Sequence, residues 1–195
     1  MATCHGFDWG PSDGGNVDLS TAYLSRRSGP INESADPYIV PLDPNCVSAL
    51  TPVAYVGEAR YLPGIEDANY NADIIKQAIM DNGALYINIH FDNDYMNYAN
   101  KTYYYNGTQY TNHGVAVVGW DNNKTVTGGS AATPSSQGAW IIKNSWGPSW
   151  GENGYFYVSY QDTKALSTVA YFPSNIDYNA DSEIWWVLKI HFFSF

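Results

Sequence analysis

WIIKNSWGPSWGENGY, residues 140–155, decides how this chain folds. Its first half is apolar and β-branched and reads as a strand. Its second half carries Gly147, Pro148, Gly151, Asn153 and Gly154, which is turn chemistry. A second strand, YFYVSY, follows at 155–160. Upstream, ALYINIHF (84–91) and GVAVVGW (114–120) have the same character. Short aromatic and β-branched strands at this spacing predict a small antiparallel barrel. The Gly-, Ser-, Thr- and Asn-rich stretch Asp121–Gly138 between two of them reads as an exposed loop.

Before the strands, the pattern is helical. NADIIKQAIMDNG (71–83) predicts a helix capped by Asn71 or Asp73 and stopped by Gly83. Ile74, Ile75, Ala78 and Ile79 are expected on its buried face. A shorter helix is expected over Val17–Arg27, after the glycine-rich loop GFDWGPSDGGN (6–16). Between 29 and 52 stand Pro30, Pro37, Pro41, Pro44 and Pro52, half of the chain's 10 prolines, marking an extended connection and a domain boundary. The expected organisation is 1–52, 53–175 and an unusually apolar tail, 176–195.

The 195 residues, 45% of them hydrophobic, supply enough apolar surface for a core. Only 14% are charged, and 17 Tyr and 7 Trp make a polar, aromatic-rich chain suited to a secreted or cell-surface setting. A net charge of -10 with nine Lys and Arg argues against a nucleic-acid partner. No apolar run is long enough for a membrane span, and the first residues show no signal peptide. Two cysteines, Cys4 and Cys46, do not make a disulfide framework. Asp92-Asn93-Asp94 lacks the glycine and closing glutamate of a calcium loop, and Cys4-His5 is too short for a zinc site, so neither metal nor cofactor is expected. The triplets beginning at Asn32, Asn100, Asn106 and Asn123 match a glycosylation pattern that an Asn-rich chain produces by chance.

NHGVAVVGW (112–120) and KNSWGPSWGENGY (143–155) together resemble the histidine and asparagine blocks of papain-like cysteine peptidases, in the family's order. FDWGPSDGGN, TAYLSRRSGP, EARYLP and YYYNGTQYTNHGVAVVGWD resemble its prokaryotic surface-associated branch, and the likeness runs over about residues 5–175. It implies an α+β, two-lobed fold: a remnant of the helical left lobe, then a barrel-like right lobe. It also implies a hydrolase cleaving peptide or protein substrates with a Cys-His-Asn site. His113 becomes the base that holds a thiol as thiolate. Asn144 becomes the amide that fixes the ring's tautomer, and Trp146 the cover that keeps water off their hydrogen bond. The plainer reading makes His113 a strand-end histidine satisfied by a backbone carbonyl.

The resemblance places substrate contacts at Gly14 and Gly15, which allow close backbone approach. It places Asn88 and Asn112 near the specificity pocket, and Trp146 and Trp150 along the cleft. The family's glutamine and CGSCW-like block are not in this sequence. On family spacing they belong roughly 20 to 40 residues before Met1. The expectation is a fragment, inactive alone, whose partner is the missing N-terminal segment. The faces that segment covers, near Val115, Val117 and the helix after Val17, are then expected to be exposed. The competing expectation is a peptide- or glycan-binding module that kept the cleft and lost catalysis.

Overall fold

The computed structural model describes residues 5–10, 13–32, 34–36, 50–54 and 56–173. Cys4, Cys46, most of the proline-rich connection and the apolar tail therefore lie outside the described residues. The described residues form two compact units, one up to Arg60 with Phe172 and Pro173, the other Tyr61–Tyr171.

The first unit holds helix α1 (Val17–Tyr23). Asn16 caps it, its Oδ1 accepting from the Leu19 amide at 2.8 Å, and Asp18 adds negative charge to the first turn. The helix does not continue evenly to Arg27. It widens into a π-turn over Leu24–Ser28, where Arg27 adopts φ 59°. Gly29 (φ 48°) then turns the chain against Pro52 and Ala54, where a Cβ would sit 2.4 Å from Pro52 Cβ. Val17, Tyr23 and Leu24 are all buried.

The second unit begins within strand β1 (Arg60–Leu62), at Tyr61, and continues into helix α2 (Ala72–Asn82). Asn71 Oδ1 accepts from the Asp73 amide at 2.8 Å, and Gly83 at φ 82° ends the helix, as its sequence requires. The buried stripe is Ile75, Ala78 and Ile79; Ile74 is 44% exposed. At about 100° per residue the stripe centres on Ile75, with Ala78 and Ile79 to either side, and Ile74 falls just beyond Ala78 at its edge, where packing leaves it exposed.

The remaining strands are β2 (Leu85–Ile89), β3 (Met96–Asn97), β4 (Thr102–Tyr103), β5 (His113–Asp121), β6 (Ala139–Lys143), β7 (Tyr155–Ser159) and β8 (Val169–Tyr171). With β1 they form one eight-stranded sheet in the order β1-β8-β2-β5-β6-β7-β4-β3. It is largely antiparallel, as expected for an α+β fold, but β4 runs parallel to β7. That pairing spans two residues on each strand, so the slightly weaker parallel ladder costs little.

Register fixes which side chains face inward. Ile89 pairs with His113, Ile87 with Val115 and Leu85 with Val117. Directly paired residues share a face, so these form the interior set, and Asn88–Gly114 and Tyr86–Ala116 form the opposite one. Val115 and Val117 are 2% and 0% exposed. The expected exposed patch there is not observed, because α2 packs against β5 and the unit's own core encloses these positions. The doublet Val117-Val118 breaks strict alternation, and the ladder to β6 absorbs the extra residue as a bulge between Val117 and Gly119.

Candidate active site

The strand expected over AWIIKNSW stops at Lys143, and residues 144–154 double back on themselves. The Gly154 amide donates to Trp150 O at 2.8 Å, and the Asn144 amide to Gly154 O at 2.9 Å. Gly147, Gly151, Asn153 and Gly154 all take positive φ, which explains the residue types in the quoted stretch. At Gly151 a Cβ would lie 2.4 Å from the Tyr155 carbonyl oxygen. The reversal swings Asn144 and Trp146 toward the start of β5.

There His113 Nε2 lies 2.9 Å from Asn144 Oδ1. Both residues are buried, at 4% and 7% exposed. The Ser145 amide donates to the same Oδ1 at 2.8 Å. The Ser145 amide can only donate, which identifies that atom as the oxygen, so the ring must carry its proton on Nε2. In the neutral ring Nδ1 is then the acceptor. Neither His113 Nδ1 nor Asn144 Nδ2 has a hydrogen-bond partner among the described residues, although both are buried. Burial holds the His113 pKa below its usual 6.5, and the bond to Asn144 opposes the shift.

The indole of Trp146 stacks on the imidazole, with centroids 4.9 Å apart and planes 22° from parallel. Trp150 meets Trp146 edge-on at 5.0 Å. Phe91, just past β2, sits edge-on to His113 and to Trp146, at 6.0 and 4.9 Å. It also stacks on Tyr103 at 5.2 Å. The pair is thus enclosed by rings, which lowers the local dielectric and strengthens the bond they cover. Phe91 is a site residue that the sequence presents only as the end of a strand.

Asn112 and Asn88 have specific attachments. The Asn112 side chain brackets Phe91, its Oδ1 accepting from Phe91 N at 2.7 Å and its Nδ2 donating to Phe91 O at 3.0 Å. With the Asn112 amide donating to Ile89 O, this extends the β2–β5 ladder past its last pair. Asn88 is half-buried on the sheet's other face, where the Tyr86 hydroxyl donates to its Oδ1. Gly14 and Gly15 belong to the first unit, on the loop into α1, and Gly14 takes φ 79°. Among the described residues no group of three or more His, Cys, Asp or Glu could hold a metal ion. Nor is any described helix long and apolar enough to cross a membrane.

A family model described as "Papain family cysteine protease" matches residues 1–173. The chain is 30% identical to cathepsin K of Mus musculus over 165 residues, covering 82% of this chain and 45% of that protein. It is 28% identical to cysteine proteinase 1 of Zea mays over 149 residues, 75% of this chain and 37% of that protein. The crystal structure of the cysteine protease and lectin-like domains of Cwp84, a surface layer associated protein of Clostridium difficile, superposes with a TM-score of 0.75. That likeness has 26% identity over 90% of this chain and 40% of the other. The bromelain protease of Ananas comosus shares the fold at a TM-score of 0.63 and 18% identity, over 88% of this chain and 74% of that one. The chain spans between 20% and 45% of the length of the curated relatives it matches.

Proposed function

This chain belongs to the papain family of cysteine proteases, and on that premise we propose that His113 and Asn144 are the base and the ring-orienting amide of a cysteine-type peptidase site. The observation that carries the proposal is the pairing at the ring. Nε2–H is tied to Asn144 Oδ1, while buried Nδ1 has no partner among the described residues.

A thiol placed at Nδ1 would give its proton to that lone pair, leaving thiolate and imidazolium. The imidazolium is costly in a buried site unless an anion lies beside it, so burial favours the ion pair over a lone charged ring. The thiolate then attacks a peptide carbonyl carbon, and Nδ1–H returns the proton to the leaving amine. Water hydrolyses the resulting acyl-enzyme. Oδ1 of Asn144 supports the ring's positive charge throughout.

We assign the thiol to neither Cys4 nor Cys46 but to a segment with a CGSCW-like block, which is the partner this reading requires. Substrates are peptides or proteins. Asn88 is proposed to line the binding site, with Trp146 and Trp150 as an apolar wall. Asn112 is proposed to act beside them by holding Phe91. Gly14 and Gly15, in the first unit, are proposed as substrate-contacting residues by their residue type. A secreted or cell-surface location is proposed from the low charge, the aromatic content and the likeness to a surface-layer-associated protease.

The test co-expresses the 195-residue chain with a segment carrying a CGSCW-like block and measures thiol-dependent hydrolysis of a fluorogenic peptide. Hydrolysis that disappears in His113→Ala is expected. A bound segment with neither hydrolysis nor labelling by an epoxide inhibitor would support the binding-module reading instead. Labelling at Cys4 or Cys46 would overturn the assignment of the thiol.

A further inference from the structure

A second buried polar cluster lies outside the His113–Asn144 pair, around Asp162. This aspartate is 1% exposed, and among the described residues its carboxylate has no cation in salt-bridge contact. The nearby Lys164 ammonium is paired with Glu66 instead. The carboxylate is satisfied by backbone. Oδ1 accepts from the amides of Lys164 and Ala165 at 2.9 and 2.7 Å, and Oδ2 from the amide of Tyr105 at 2.9 Å. The first two bonds close a local turn. The third reaches across to the segment 104–112, through which the chain passes from β4 into β5.

That segment has little regular structure of its own and is held by a series of bonds. Beside the carboxylate, the Thr163 amide donates to Tyr105 O at 3.0 Å and the Thr163 hydroxyl to Gly107 O at 2.7 Å. Tyr105 is 3% exposed, and its hydroxyl accepts from the Gln109 amide at 3.0 Å. Its ring packs on His90 at 4.3 Å and edge-on to Tyr95 at 4.8 Å. Gly107 lies so close to this ring that a Cβ there would be 2.4 Å from Cζ. His90 Nδ1–H donates to Tyr110 O at 2.7 Å, and Asn112 completes the series on Phe91. His113 comes next.

We propose that Asp162 is a positioning residue for His113: its buried carboxylate fixes Tyr105, and Tyr105 sets the path by which the chain delivers the imidazole to Asn144. A neutral side chain would not do the same work. An amide offers one oxygen, enough for the local turn, and turns an N–H toward the Tyr105 N–H. Burial pushes the Asp162 carboxyl up to about 6 despite three backbone donors, so the charge is kept in place at a cost. The other titratable groups facing the cluster are His90, Tyr103 and Tyr105.

The role assigned to His113 rests on the peptidase reading, but the test does not. In the full chain labelled with 15N-histidine, the Nε2–H signal and pH titration of His113 are followed in Asp162→Asn and Thr163→Val. Ile75→Val on α2 serves as the control for general destabilisation. Both test variants are expected to shift the His113 ring signals and titration, while Ile75→Val leaves them unchanged. A folded Asp162→Asn with unaltered His113 signals overturns the proposal, as does an equal shift in Ile75→Val. If Asp162→Asn does not fold, Asp162→Glu, which keeps the charge and displaces the acceptor of the Tyr105 amide, takes its place, and unaltered His113 signals in it overturn the proposal.

Discussion

Asn144→Leu tests whether the amide's value lies in its oxygen and in the charge state of the ring it holds. Leucine keeps the heavy-atom count and branching of asparagine but is larger, so the site stays dry and the packing cost, which is the same at every pH, cancels from a comparison of two pH values. The variant strands the His113 Nε2–H, a buried donor, at a cost of about 1–3 kcal/mol. It also removes Asn144 Nδ2, a buried donor with no partner among the described residues, and recovers a similar ~1–3 kcal/mol. The Ser145 amide loses its acceptor too, but it is only part-buried and water can replace it. Near pH 8, where the ring is neutral, the two hydrogen-bond effects nearly offset, and the bulk of leucine in this buried site leaves an expected loss of about 1–3 kcal/mol.

Acid breaks that balance. The His113 pKa is lowered in the fold by burial, so its contribution to stability is present above 6.5 and is lost as pH falls through the folded value. A hydrogen bond to a charged donor is worth about 1 kcal/mol more than one to a neutral donor. The variant, lacking Oδ1, should thus lose roughly 1 kcal/mol more than the wild type between pH 8 and pH 5. Its His113 titration should move further down. Urea unfolding of the full chain, followed by tryptophan fluorescence at both pH values, measures the first effect, and imidazole NMR the second. Contributions from Asp162 are common to both proteins and cancel. A large loss of equal size at both pH values, or an upward movement of the titration, refutes the reasoning.

Trp146→Ala should act in the opposite sense on the same ring: uncovering His113 relieves the burial that depresses its pKa, so the titration should rise toward 6.5. An unchanged NMR titration would show that the indole does not shield the pair. For Asp162 the sign is reversed. Its carboxyl is raised from 3.8 to about 6, so its stabilising contribution is full below 3.8 and lost as pH rises through 6. This is on the order of 3 kcal/mol, and Asp162→Asn should lack that slope in urea unfolding at pH 4 and pH 7. Two glycines separate strain from contact. Gly147→Ala meets nothing within 4 Å but must hold φ 84°, for about 1–2 kcal/mol. Gly64→Ala drives a Cβ to 2.4 Å from the Ser167 carbonyl oxygen, a backbone atom that cannot yield, and should lose about 3 kcal/mol or more by chemical denaturation.

Much of the site was legible because the residues that build it are local and chemically restrictive. Helix α2 declared its end at Gly83 and narrowed its start to Asn71 or Asp73, of which the fold uses Asn71, since caps are fixed by backbone geometry within a few residues. KNSWGPSWGENGY announced a tight reversal through residues that must take positive φ, and with NHGVAVVGW it named His113 and Asn144. What the sequence could not determine depends on partners far along the chain. Ile74 and Ile75 look alike in the pattern, and only packing against the sheet decides which is buried. Val115 and Val117 give no sign that β2 flanks them and that α2 and the core enclose them. QDTK around Asp162 is an ordinary polar run, and nothing local distinguishes a solvated aspartate from one holding the Tyr105 amide 57 residues away. Phe91 likewise becomes the ring at the centre of the site only when β2, β5 and the 144–154 reversal converge. Caps and turns are set by short-range backbone sterics, which the sequence writes out directly. Burial and the pairing of buried polar groups are set by long-range contacts that exist only once the sheet has formed.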